Sequence, residues 1–301
     1  KVVLTGEGAD EMLAGYNIFR EAKVRRFWAR NPDSEYRPLL LRRLYPYLAH
    51  DLGRAEAFTR AFFRRKLTDL DDPLYSHQIR FKNSGRIQQL LSQTVRNEMP
   101  AGDSPQQRLL NRLPDGFDDF SPLGKAQYLE IKTFLQGYLL HSQGDRMLMG
   151  NSVEGRFPFL DHRVAEFAAR LPDRLRIRGL NEKYLLKKAA APLLPSNIVK
   201  RDKRPYRAPI LKTFMGPESP DYVPELCSTE ALVRAGLFDA KVTKALFAKC
   251  AKSIDKGVSE TDEMALVAVI STMLLHHAFV DRPQLSSSAR ATKIVIGDRQ
   301  L

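Results

Sequence analysis

The sequence predicts a mostly α-helical chain with one or a few parallel strands at its start. Three observations carry that prediction. Val2-Val3-Leu4 is short, β-branched and apolar throughout, which suits a buried parallel strand. Gly6 and Gly8 interrupt it at once, and apolar residues then recur at helical spacing almost to the end. With 301 residues, 43% apolar and 9% aromatic, the chain can bury a sizeable core and is neither disordered nor collagen-like.

Residues 9–30 form the first expected helix, with Met12, Leu13, Tyr16, Phe19, Val24 and Phe27 at helical spacing and Asn31-Pro32-Asp33-Ser34 as its stop. Further helices are expected over 38–48, 54–66, 85–93, 122–141, 162–170, 181–191, 240–251 and 260–280, with turn clusters such as Asp71-Asp72-Pro73 and 111–116 between them. No internal repeat or long Ser/Gly linker divides the chain. Residues 1–281 are therefore expected as one domain portion, and residues 282–301, with Ser286-Ser287-Ser288, as a loosely held tail in which 293–296 adds a short strand. A single parallel strand needs sheet neighbours, and these residues supply almost none. The expectation is that the rest of the sheet lies upstream of Lys1, in a longer protein.

Cys227 and Cys250 fit neither a disulfide framework nor a zinc pattern, and are expected as buried small hydrophobes in a reducing, cytoplasmic setting. The longest apolar run, residues 264–275, falls short of the roughly 18 residues a membrane span needs. No signal-peptide core opens the chain, so no membrane partner is expected.

The formal net charge of +13 is concentrated between Asn17 and Lys66, where thirteen Lys and Arg face five Asp and Glu. No zinc finger, RNP aromatic pair or recognition helix accompanies that charge, which argues against a nucleic-acid partner and for solvated helix faces with a subunit or domain contact, a homodimer among the options.

Three segments concentrate chemistry. At residues 4–11 a strand, a glycine turn and a helix start meet; glycines let the backbone approach a ligand, and the helix start offers free N–H groups to an anion. Glu7, Asp10 and Glu11 place three carboxylates there. A phosphate tolerates them if a divalent cation bridges or if one carboxylate works as a base; otherwise they only complement the helix dipole. Residues 144–161 interleave Asp145, Arg146, Glu154, Arg156 and Asp161 with Met, Val and Phe, so these charges either form a buried network ordering a pocket wall or simply join structural pieces. Residues 200–209 carry five basic side chains stiffened by Pro205 and Pro209, a composition suited to a loop over polyphosphate and equally common on a solvated surface.

Together and in this order, LTGEGADEMLAGY, GDRMLMGNSVEGRFPFLDHRVAEFA and KRDKRPYRAPI resemble the motifs of the synthetase domain of class B, glutamine-hydrolysing asparagine synthetases, over roughly residues 1–215. The resemblance implies an α/β domain of the ATP-pyrophosphatase, adenine nucleotide alpha hydrolase-like type. It implies ATP and Mg²⁺, adenylation of the side-chain carboxylate of aspartate, and displacement of AMP by ammonia drawn from glutamine. Thr5 and Gly6 would contact the nucleotide, Asp10 would hold pyrophosphate through Mg²⁺, Glu7 would be the base for ammonia attack, and Lys203 would neutralise the leaving phosphates. Asp145, Arg146, Glu154 and Arg156 would form a supporting polar network. The family's Ser-Gly-Gly-x-Asp-Ser loop and its glutaminase domain with an N-terminal cysteine are not in these residues, so the chain by itself is expected to be inactive. Related natural-product amidotransferases that adenylate other carboxylates share the fold. The β-lactam branch carries a tyrosine where this chain has Glu7, which disfavours that branch. A non-catalytic interaction module with a basic surface is the rival of another class.

Overall fold

The computed structural model describes residues 1–45, 49–100, 102, 104–201, 203 and 208–281, with the backbone alone for 49–55. The expected tail at 282–301, its strand at 293–296 and the end of the expected helix at 46–48 lie outside the described residues. Within the stretch read as one domain, the chain divides into two compact units: Lys1–Lys82 with Asp103–Tyr206, and Asn83–Gly102 with Arg207–Leu301.

In the first unit, β1 (Val2–Leu4) pairs in parallel with β2 (Glu154–Arg156), matching Val2 to Glu154, Val3 to Gly155 and Leu4 to Arg156. Glu-Gly-Arg has no strand-like composition, so β2 was not legible in the sequence. Its central glycine answers a packing demand, because a Cβ at Gly155 would overlap Leu148 and crowd the Phe157 ring. The expectation of a buried β1 is corrected. Val2 is 51% and Leu4 72% exposed, on a sheet of two strands among the described residues.

The single helix expected at 9–30 is two helices: α1 (Ala9–Met12) and α2 (Asn17–Ala29). The chain breaks between them where Ala14 adopts φ 57° and Gly15 passes close to the Asp10 side chain. Ala14, Ile18 and Phe19 pack on α3 (Pro122–Glu130) through Leu123 and Ala126, with Ile177 completing the cluster. Further along α2, Val24 and Trp28 join Leu41, Leu44, Phe63, Leu67 and Ile79 in a second cluster. Full burial of side chains of this size contributes about 1.5–3 kcal/mol each. Beyond α3 the helix widens into a π-helical stretch over Ile131–Asp145. Next come α4 (His162–Arg170), the short turn Asp173–Arg176 and α5 (Tyr184–Ala190).

The second unit is helical around one core, in which Leu226, Cys227, Leu232, Leu246 and Cys250 meet Leu266, Val269, Ile270 and Met273 of α6 (Glu260–His276). Both cysteines are buried and free, as expected, and burial pushes the Cys227 thiol up to about 11. One expectation is corrected here: helix Glu260–Asp281 spans 22 residues and is long and apolar enough to cross a bilayer. His276 and the π-type last turn at His277–Asp281 extend the helix beyond the run at 264–275. Its inner face is packed in this core.

The reading of the basic stretch as solvated helix faces needs correction at Arg20 and Arg25. Arg25 is 0% exposed. Its Nε donates to Phe63 O at 3.2 Å, Nη1 to Tyr75 O at 3.0 Å, and Nη2 to Arg65 O at 2.8 Å and Lys66 O at 3.2 Å. The guanidinium also stacks 4.4 Å from the Tyr75 ring centroid. Arg20 is buried as well, donating to Leu44 O and lying 3.8 Å from the buried Glu182. These two cations hold loop carbonyls and a carboxylate rather than facing solvent. Arg25→Met would remove the donor from four carbonyls, two of them in fully buried contacts. It is expected to cost about 3–5 kcal/mol in urea unfolding, against less than about 1 kcal/mol for Arg42→Ala, whose pair with Glu56 is exposed.

Candidate active site

The site is built where β1 runs into α1. Thr5 N donates to Arg156 O at 3.0 Å, extending the strand pairing by one residue, and Thr5 Oγ1 accepts from Glu7 N at 3.2 Å to close the turn. Gly8 caps α1 with φ +88°, and a Cβ there would overlap the Leu160 side chain, so a side chain at this position is excluded on both counts. Gly6 is open, with no atom within 4 Å of a built Cβ.

The break after α1 serves the Asp10 side chain. A Cβ on Gly15 would overlap the Asp10 carboxylate and crowd Lys183 Cε. Into the space this glycine leaves, Lys183 Nζ approaches Asp10 Oδ1 at 2.9 Å and Lys203 Nζ approaches Oδ2 at 3.1 Å. One carboxylate thus holds two ammonium groups delivered from distant parts of the chain. Lys183 sits at φ 48°, the left-handed residue that starts α5. Lys203 Nζ also lies 5.5 Å from the Tyr16 ring centroid.

A second carboxylate fixes the backbone beneath. Glu182 is buried; its Oε1 accepts from Lys187 Nζ at 2.9 Å and from Lys203 N at 3.3 Å, and its Oε2 lies 3.8 Å from Arg20 Nη1. Burial alone would raise the Glu182 carboxyl, but the Lys187 hydrogen bond and the neighbouring cations hold it below the usual carboxylate range. Glu182 therefore anchors the lysine loop by its backbone while Asp10 anchors it by its side chain.

Glu7, half-buried beside this pair, has its carboxyl raised above the ordinary 4.5, first by burial and then by the Asp10 charge, with Lys203 pulling the other way. Glu11 is raised mainly by burial, although its Oε1 accepts from Tyr16 OH at 2.8 Å. The arrangement combines two ammonium donors for phosphate oxygens with a partly desolvated carboxylate that takes a proton more readily than free glutamate does.

The structure brings together Asp10 and Lys203, with Glu7, Thr5 and Gly6 on the turn that leads to them. The buried network at Asp145, Arg146, Glu154 and Arg156 is not formed among the described residues. All four are exposed: Glu154 and Arg156 pair with each other at 2.7 Å on the open face of β2, and Arg146 contacts His141. Asp161 instead caps α4, accepting from Arg163 N. In the basic loop, Asp202, Arg204, Pro205, Tyr206 and Arg207 lie outside the described residues. Sequence reasoning missed Lys183, Gly15 and Glu182. Lys183 is one of 48 basic residues with no motif around it, and nothing local marks Gly15 as a helix break.

The strand–turn–helix junction thus carries two lysines paired on one carboxylate, with the Glu7 carboxyl beside them. The chain belongs to the asparagine synthase family, whose pattern matches residues 1–277. It is 30% identical to asparagine synthetase [glutamine-hydrolyzing] 1 of Bacillus subtilis over 69% of this chain and 31% of that protein. It is also 30% identical to a putative asparagine synthetase [glutamine-hydrolyzing] of Mycobacterium tuberculosis over 70% of this chain and 30% of that protein. With amidase chyE of Penicillium rubens it shares 27% identity over 90% of this chain and 40% of the relative. The chain thus spans less than half the length of these curated relatives. No solved structure matches it.

Gly15→Ala is expected to cost about 2 kcal/mol or more, because the new methyl displaces the Asp10 carboxylate from both lysines. Gly150→Ala, with open space around its built Cβ, is expected to change the thermal midpoint little.

Proposed function

We propose that this chain carries the phosphate-facing and base-bearing part of an ATP-dependent amide-forming ligase. In the proposed reaction a side-chain carboxylate oxygen of aspartate attacks the α-phosphorus of ATP and pyrophosphate leaves. Ammonia derived from glutamine then attacks the acyl carbon, and AMP leaves with the bonding electrons. The observation that carries this reading is the Asp10 carboxylate held between the Lys183 and Lys203 ammonium groups at the glycine turn.

Each residue has a task in this scheme. Lys203 and Lys183 exchange Asp10 for phosphate oxygens as negative charge builds on the leaving pyrophosphate. Thr5 and Gly6 border the nucleotide, where an open glycine lets a ligand approach the backbone. Glu7 takes the proton released as ammonia becomes an amide, a task that its raised carboxyl suits. Mg²⁺, when bound with the nucleotide, supplies further charge neutralisation on the phosphates. Asp10 would share that ion with the nucleotide once the lysines release its carboxylate, since among the described residues no group of three His, Cys, Asp or Glu side chains is placed to hold a metal by itself.

A second reading rests on coverage: amidase chyE aligns with 90% of this chain, against 69% for the Bacillus synthetase. In that reading the same site activates another carboxylate. Pyrophosphate release measured against a panel of carboxylates separates the two, with aspartate expected to give the highest kcat/KM.

In the active enzyme, Lys203→Met and Lys183→Met are each expected to slow pyrophosphate release by about a hundredfold or more. Glu7→Gln is expected to retain ATP–pyrophosphate exchange while amide formation falls by about 10²–10⁴. Unchanged amide formation in that variant contradicts the assignment. Glu7 must be ionised to accept a proton, so the rate of ammonia-dependent amide formation is expected to fall as pH drops through a value above 4.5. Because Lys203 holds the Glu7 carboxyl down, the residual activity of Lys203→Met is expected to lose its acid limb at higher pH than the parent.

A further inference from the structure

Away from the lysine pair, a cavity of about 590 Å³ opens beside α5, a size that suits a small ligand. Arg178, Lys187, Lys188 and Lys200 line it, whereas Lys183 and Lys203 do not. The carboxylate on its wall, Glu182, is buried and already engaged by Lys187 and Arg20. Arg178, Lys188 and Lys200 are exposed to an incoming ligand. Among the described residues none of these three has a carboxylate within ion-pair distance.

The three cations converge from different parts of the chain. Arg178 is pinned by its backbone, which exchanges two hydrogen bonds of 3.0 Å with Asn181 across the turn at Gly179. Lys188 stands in the last turn of α5. Lys200 follows the short helical turn Ser196–Val199, its N donating to Ser196 O at 3.0 Å. In place of a carboxylate they have a phenol. Arg178 Nη1 donates to Tyr184 OH, and the Arg178 guanidinium lies 5.2 Å and Lys188 Nζ 5.9 Å from the Tyr184 ring centroid. The Tyr184 hydroxyl is held below its ordinary 10, chiefly by the Arg178 hydrogen bond, with the Arg178 and Lys188 charges adding to it. A neutral phenol balances little of the positive charge around it. Its own O–H has no acceptor among the described residues, so it can donate into the cavity.

We propose that this cavity binds a phosphate dianion, either the free ion or the monoester end of a small molecule. Arg178, Lys188 and Lys200 neutralise the dianion, and Tyr184 OH donates to one of its oxygens. A tetrahedral dianion offers several oxygens to donors arriving from three directions, whereas a monocarboxylate offers two oxygens and a single charge. Glu182 Oε1, which accepts from both Lys187 Nζ and Lys203 N, connects the cavity wall to the lysine loop. The site goes beyond the amide-forming reading and does not depend on it.

NMR of the 301-residue chain carrying carbon-13-labelled tyrosine tests this without any activity assay. The Tyr184 ring signal, identified by its loss in Tyr184→Phe, is expected to shift to saturation with methyl phosphate or inorganic phosphate. The expected Kd is about 1 mM or tighter in about 0.1 M salt, and the tighter of the two probes separates ester from free ion. Acetate is expected to bind at least about tenfold more weakly. The Tyr16 ring, 5.5 Å from Lys203 Nζ, reports any phosphate at the lysine pair as a separate signal. Replacing two exposed side chains, as Lys188→Met with Lys200→Met, is expected to weaken the Tyr184 titration by at least about tenfold. The charge reversal Lys188→Glu provides the same readout by itself. No Tyr184 shift up to about 10 mM phosphate, an equal response to acetate, or unchanged affinity in these variants overturns the proposal.

Discussion

The bridge from Asp10 to Lys183 and Lys203 is the constraint from which the local architecture follows. A carboxylate that pairs with two ammonium groups needs room on its open side, and the backbone provides this by ending α1 after one turn and placing Gly15 against it. The bridge also ties residues about 190 positions apart to one point, so Asp10 joins the lysine loop to the glycine turn while Glu182 holds the loop backbone. With all three groups partly shielded from water, the attraction exceeds that of an exposed pair, whose worth is only about 0–1 kcal/mol. For function the consequence is direct. In the proposed reaction the lysines are held in place, with part of their charge compensated, before a phosphate arrives, so their ordering cost is already met.

Buried charge recurs throughout the first unit as a positioning device. Arg25 gathers four loop carbonyls, and Glu182 gathers Arg20, Lys187 and the Lys203 backbone. Glu21 is likewise surrounded, by Arg80 and the Tyr45 hydroxyl. Burying an ionised group is unfavourable unless its hydrogen-bonding capacity is met, so such groups specify one arrangement of the loops around them. Within the basic stretch, Arg20 and Arg25 are internal scaffold, whereas residues such as Lys23, Arg30, Arg42 and Arg43 are exposed.

How much of this was legible in the sequence depended on whether the signal was local. The strand Val2–Leu4, the glycine turn and the helical periodicity of α4 and α6 are local patterns, and they were read correctly. Glu7, Asp10 and Lys203 became candidates through motif resemblance, and geometry brings Asp10 and Lys203 into contact. Lys183, Gly15 and Glu182 were not legible, because their roles arise from approach across the fold: a glycine matters only once the Asp10 carboxylate is seen against it. For the same reason β2 escaped notice, since Glu154-Gly155-Arg156 pairs with β1 despite a composition poor for strands. Burial of Arg20 and Arg25 was equally invisible to charge counting.

A double-mutant cycle in urea unfolding of the chain, using Asp10→Asn, Lys203→Met and the double variant, tests the central claim most directly. The contacts require a coupling energy of about 1 kcal/mol or more between the two positions, with a similar value when Lys183→Met replaces Lys203→Met. Additive effects, with coupling within about 0.3 kcal/mol of zero for both lysines, would mean that Asp10 does not hold them, and the account of the site would fail.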